Sequence, residues 1–210
     1  MAATPDEIKY QSNLFAGMMT ELKIRLFSMR QLVKDNQLHH PQIIHEICDL
    51  QIRMCCEVVA LACLMAHEDI ASARAQKAYE PSVMMKGLEL LHPDFFPKPA
   101  KVEWADSVGR GQFHIAPGNP SAITQKEVVK LWSSLGGRLH RGTLKALRSG
   151  ERPVQSEYPE VDQQIAKFEA LLEHHYVISR DRSWVFLCNG RLDEPTEHVE
   201  CWLASAVAVE

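Results

Sequence analysis

Apolar side chains recur at spacings of three, four and seven along the first thirty residues: Ile8, Phe15, Met18, Met19, Leu22, Leu26, Met29 and Val33. That period places them on one stripe of an amphipathic helix over about residues 5–34. Thr4 suits the N-cap, Pro5 the first helical position, and Asp6 and Glu7 the positive end of the helix dipole. After the polar turn 35–40, Pro41 opens a second helix reaching about His67. Its apolar positions (Ile44, Ile47, Cys48, Met54, Cys55, Val58, Val59, Ala62, Met65) spread over a wide arc. From Cys55 onward the pattern is apolar nearly all round, as expected of a helix enclosed by neighbours. A third helical region runs over about 69–91 and is broken or restarted at Pro81.

The pattern then changes. Between His92 and Ser121 stand Pro93, Pro97, Pro99, Pro117 and Pro120, with Gly109, Gly111 and Gly118. This reads as a long ordered loop, 92–123, holding a short hairpin around Lys101–Trp104 and Gln112–Ile115. Loops of this length commonly serve a function or a subunit contact. Thr124-Gln125-Lys126-Glu127 is a capping box that starts a fourth helix with Val128, Val129, Leu131, Trp132 and Leu135 on its apolar side. Gly136-Gly137 weakens that helix, and a fifth follows over about 160–174. The remaining chain reads as three short strands: Tyr176–Ile178, Trp184–Cys188 and about His198–Val207. Arg180-Asp181-Arg182 and Asn189-Gly190 are the turns between them. The predicted fold is mainly α: about five helices over 1–175, with a small antiparallel β meander over 176–210 packed on the bundle.

Charge and cysteine usage narrow the classes. Twenty-three Lys and Arg against 27 Asp and Glu give a net charge of −4 over 210 residues, so no strong basic field attracts DNA or an anionic membrane. Cys48, Cys55, Cys56 and Cys63 share one helix and point apart, so they do not make a disulfide framework. Cys188 and Cys201 fall in strands. Free thiols, together with an N-terminus that lacks a basic segment before an apolar core, lead us to expect a reduced, cytoplasmic protein. No membrane span is expected from the Val58–Ala66 run, which is too short. Phosphate-loop, dinucleotide and nucleophile-elbow patterns are absent, and no cofactor is expected. His39, His40, His45, His67, His174 and His175 lack a ligand spacing, so no metal is expected either.

Two polar constellations remain. Arg138, His140 and Arg141 follow the fourth helix. Guanidiniums grip phosphate oxygens and an imidazole moves protons near neutral pH, so His140 with Arg138 is the candidate catalytic pair and Arg141 the candidate phosphate or RNA ligand. The same residues also suit a plain basic helix C-terminus ended by Gly142. On the second helix, Asp49, Arg53 and Glu57 lie at i, i+4, i+8. They either pair among themselves or orient His140 or an arginine from another helix.

Several segments together carry a family resemblance: Arg53-Met54-Cys55-Cys56-Glu57-Val58, Leu64-Met65-Ala66-His67, Leu91-His92-Pro93-Asp94-Phe95-Phe96-Pro97, Leu135 to Gly142, and Leu171-Leu172-Glu173-His174-His175. In their order they resemble bacterial HEPN-like helical proteins, abortive-infection relatives among them. The resemblance implies a helical bundle, often a homodimer, working in phage defence or stress response. Catalytic members are metal-independent ribonucleases whose Arg and His stand a few residues apart on one helix. Here Arg138 and His140 are separated by a single residue, and Arg110 and His114 lie in the glycine-rich loop. The leading expectation is an interaction protein with an RNA or protein partner. A ribonuclease or nucleotide-binding enzyme centred on His140 is the alternative, and a small-molecule sensor using loop 92–123 as a lid is the third.

Overall fold

The computed structural model describes residues 4–35, 39–104, 113–139, 158–194 and 197–205. Six helices and five strands occur among them: α1 Pro5–Lys34, α2 Pro41–Ala66, α3 Ala73–Gln76, α4 Pro81–Leu91, β1 Lys98–Trp104, β2 Phe113–Pro117, α5 Gln125–Leu139, α6 Pro159–Glu173, β3 His174–Ile178, β4 Trp184–Asn189 and β5 Glu200–Ser205. The mainly helical α+β class expected from periodicity is what the chain adopts. Both capping boxes form: Thr4 caps α1 with Glu7, and Thr124 and Glu127 exchange the same bonds ahead of α5. The third helical region splits at Pro81 into α3 and α4. Helix α5 continues through Gly136 and Gly137 to Leu139.

The sheet is larger than a C-terminal meander. All five strands form one antiparallel sheet in the order β2-β1-β3-β4-β5. The hairpin expected inside 92–123 is real, and its strand β1 adds to β3 through Lys98↔Tyr176 and Pro99↔His175. The segment expected to be a long loop is therefore partly sheet. A second correction concerns Asn189-Gly190, which is no two-residue hairpin turn. Residues 190–199 separate β4 from β5. Gly190 is required instead by a close approach, since a Cβ there would stand 2.4 Å from the Leu172 carbonyl oxygen. Arg191 then takes a positive φ of 46°. The β3–β4 turn does lie at Arg180–Arg182, where the Asp181 carboxylate accepts from Ser179 and Ser183.

One core joins helices and sheet. Phe15, Met19, Leu22, Leu26 and Met29 of α1 meet the buried arc of α2, Phe168 and Leu171 of α6, and Trp184 and Phe186 on the helix-facing side of β4. The layers are also joined by polar ties, each placed where an element ends. Lys23 on α1 is only 2% exposed. Its ammonium donates to the carbonyls of Arg191 (2.7 Å), Glu194 (2.6 Å) and Glu197 (3.0 Å). One turn earlier, Thr20 Oγ1 accepts from the Val199 amide at 3.0 Å. The β4–β5 connection is thus fastened to α1. At the other end of the molecule, His67 beyond α2 donates to the Phe95 carbonyl at 3.0 Å, and His92 beyond α4 donates to Ile178 at 2.9 Å. Their rings meet edge-on at 5.0 Å.

Two predictions follow from these ties. Burial holds the His67 and His175 imidazoles down to about 4, against an ordinary 6.5. His175 is fully buried, and neither ring nitrogen has a hydrogen-bond partner in good geometry among the described residues. The carbonyls of Leu171 and Leu172 oppose the shift only partly. The unfolded chain therefore binds two more protons than the folded one between those values, and stability present above pH 6.5 is lost as pH falls toward 4. Urea unfolding across that window is expected to show a slope approaching ~2.7 kcal/mol per pH unit. His175→Leu, which sacrifices no hydrogen bond in good geometry, should roughly halve the slope. Lys23→Met leaves three carbonyls without their donor. It is expected to cost about 2–4 kcal/mol in the same assay, and a loss under about 0.5 kcal/mol would contradict the clamp.

Candidate functional site

The charged residues along the middle of α2 are largely shielded from water and meet the helix laid against them. Asp49, Arg53 and Glu57 point to one side of α2, and α5 runs along that side. The three do not simply pair along their own helix. Arg53 Nε lies 3.7 Å from Glu57 Oε1. Asp49 turns instead to α5, where Arg138 Nε approaches its Oδ2 at 3.0 Å. Of the two expectations for this line, pairing within it describes Arg53 and Glu57, and an arginine from another helix describes Asp49.

Trp132 and Gly136 complete the seam; the sequence pattern marks them as an apolar-face residue and a helix-weakening one, without tying either to the polar line. The Arg53 guanidinium carbon sits 4.0 Å above the Trp132 ring centroid, a cation–π contact. Its Nη1 donates to the Trp132 carbonyl at 3.2 Å. The Trp132 indole N–H donates to Glu57 Oε1 at 2.7 Å. Gly136 lies beneath the same guanidinium, and a Cβ there would come within 2.4 Å of Arg53 Nη1. The glycine that weakens α5 by propensity is thus the residue that lets α5 close over Arg53. A Trp at one helical turn from a Gly on a polar-faced helix was the available signal for this arrangement.

Burial grades across the seam. The Asp49 side chain is 10% exposed, whereas Arg138 is 47% and its second partner, Glu160 of α6, 69% exposed. Arg138 Nη1 reaches Glu160 at 3.1 Å. Desolvation raises the Asp49 carboxyl above the usual range, against the pull of Arg138 and His45. Nearby, His45 packs its ring 4.6 Å from that of Tyr158, and its Nε2 has no hydrogen-bond partner among the described residues. Burial pushes the adjacent Cys48 thiol up to about 11, and Cys55, Cys56 and Cys63 are raised further by the same cause. None of these is a nucleophile at neutral pH.

His140 and Arg141 lie outside the described residues, as does Arg110. Of the basic trio, only Arg138 is placed, and its guanidinium faces two carboxylates. A cleft of about 710 Å³ lies elsewhere, between residues 119–124, Glu127 and the Gln163–Ala170 face of α6, with the Glu127–Lys167 pair (2.6 Å) at its wall. Among the described residues, no group of three or more His, Cys, Asp or Glu side chains is placed to hold a metal ion. No described helix is long and apolar enough to cross a membrane. Comparison with protein-family models, curated proteins and solved structures finds no match to the chain. The HEPN-like resemblance therefore stands on its short sequence matches.

The geometry gives opposite expectations for the two ends of the Asp49–Arg138 pair. Ionised Asp49 is disfavoured by burial, so Asp49→Asn is expected to leave stability within about 0.5 kcal/mol of the parent or to raise it. Arg138→Ala strands a buried carboxylate and should cost about 1–3 kcal/mol. Chemical denaturation of both variants at pH 7 checks the sign of this contrast. Equal losses would show that the pair stabilises the seam symmetrically.

Proposed function

We propose that the chain acts as a HEPN-like interaction protein, in a defence or stress setting, that works by pairing with a second copy of itself through the outer face of α1 and α2. The observation carrying this reading is a cluster of large apolar side chains left outside the core. Ile24 and Phe27 of α1 are exposed at helical spacing, and Ile43, Ile47 and Leu50 of α2 repeat at i, i+4, i+7. Ile24 and Ile47 share one groove of about 350 Å³ with Met29 and Leu32. Isolated exposed apolar residues are ordinary, but a run along two adjacent helices marks an interaction surface.

The polar members of the groove favour a second copy as the occupant. Arg25 donates to Glu21 at 2.6 Å and to Gln51 at 2.7 Å, so the patch carries one charge of each sign beside its apolar stripe. A two-fold contact brings each patch onto itself, and Arg25 of one copy then meets Glu21 of the other without a net charge clash. The engagement of Arg138 by Asp49 and Glu160 supports a structural use for that arginine in the same way.

Sedimentation equilibrium over a wide concentration range tests the proposal. A dimer is expected, and Ile24→Glu with Ile47→Glu should raise its dissociation constant at least roughly tenfold, ~1.4 kcal/mol, with the helical circular dichroism unchanged. A wild-type monomer at every concentration sinks the reading. RNA cleavage by the purified protein that His140→Ala abolishes without unfolding would replace it with the enzymatic one.

A further inference from the structure

Cys188 and Cys201 stand directly opposite each other in the β4–β5 register, and their sulfurs are 3.1 Å apart as free thiols. They project from the helix-facing side of the sheet, Cys188 fully buried and Cys201 half-buried. β5 is the last strand of the sheet order, so Cys201 sits where a small reagent can arrive from the edge while Cys188 waits behind it. We infer that this pair is a thiol–disulfide exchange site, with Cys201 attacking and Cys188 resolving, whose reactant is a low-molecular-weight disulfide of the glutathione type.

The chemistry closes within those groups. The Cys201 thiolate attacks one sulfur of the small disulfide, forms a mixed disulfide and expels one small thiolate. Cys188, losing its proton to that thiolate, attacks Cys201 Sγ and expels the second. The protein gives up two electrons and two protons, the proton of Cys201 passing through solvent to the second small thiolate, and the small disulfide is reduced to two thiols. Bond formation brings the sulfurs from 3.1 Å to about 2.0 Å. That movement is small for two side chains already face to face across a ladder.

The other four cysteines serve as internal controls, all buried along α2, away from any edge. The new bond would close the 190–199 connection, which the Lys23 ammonium and Thr20 hydroxyl already hold to α1. It would thereby add a covalent tie to an edge strand held by its hydrogen bonds to β4, its packing on α1 and the Arg191–Glu200 ion pair.

The test exposes the full-length protein to glutathione redox buffers of increasing oxidised fraction and follows intact mass and alkylated peptide maps. Loss of two hydrogens is expected, with one linked peptide pair containing Cys188 and Cys201, and slowed amide exchange in residues 200–205. Cys188→Ser should stop at a stable glutathione adduct on Cys201. Cys201→Ser should take up no glutathione while folded, and Cys188→Ala gives a second resolving-cysteine variant if the serine disturbs the core. A persistent Cys201 adduct in the wild type, a linkage involving the α2 cysteines, or fully reduced protein in the most oxidising buffer each overturns the assignment.

Discussion

A helix enclosed along its C-terminal half constrains everything laid against it. Of α2, most residues from Cys55 to Ala66 are buried, and Asp49, Arg53 and Glu57 sit on the one flank where another helix supplies donors and acceptors. Leaving any of them without a partner at that depth would cost several kcal/mol. The neighbour is therefore specified in detail: an aromatic ring to face Arg53, an indole N–H for Glu57, a cation for Asp49, and no side chain at Gly136. The polar line acts as the key by which α5 is held in one register. Specificity of this kind is a use for buried charge that mere stability does not supply.

The sheet is attached by the opposite device. Instead of side chains meeting side chains, isolated donors on the helices satisfy backbone carbonyls where strands and loops end: Lys23 at 191–197, His92 at Ile178, His67 at Phe95. These carbonyls would otherwise be left without partners against an apolar layer. An ammonium with three donors suits a concave loop of three carbonyls, and an imidazole N–H suits a single one. Burial depresses the Lys23 ammonium, against the pull of the Asp193, Glu194 and Glu197 carboxylates. Helix layer and sheet layer are thus pinned at their margins and joined by packing at their centre.

Much of this was legible along the chain. The α1 stripe, the enclosure of α2 beyond Cys55, the Thr4 cap, the Thr124 capping box and the turn at Arg180–Arg182 follow from local patterns that the fold does not override. The hairpin inside 92–123 was legible too, but its docking onto β3 was not. Residues 98 and 176 are brought together only by the helices between them, and no local period records that. Asn189-Gly190 misled for a related reason, because the glycine answers to the Leu172 carbonyl rather than to a turn type. At the seam, the i, i+4, i+8 spacing of Asp49, Arg53 and Glu57 marked the right residues. Their division of partners depends on the rotation of α5, which is set by Trp132 and Gly136. No pattern along α1 marks Lys23 as buried, and the return of the chain at 191–197 supplies the carbonyls that hold it there.

The joining of β1 to β3 has a consequence for the order in which the molecule is made. During synthesis the β1–β2 hairpin emerges well before the strand it will dock against, since α5 and α6 come between. Until β3 arrives, one margin of β1 presents unpaired amides and carbonyls to whatever else is in solution. Such a margin is a template for misassociation. The composition of β1 answers that exposure: Lys98, Pro99, Lys101 and Glu103 occupy most of its length. Its native contact with β3 is confined to two register positions, one of them the proline. A strand that joins its sheet late is thus one that pairs poorly with strangers in the meantime.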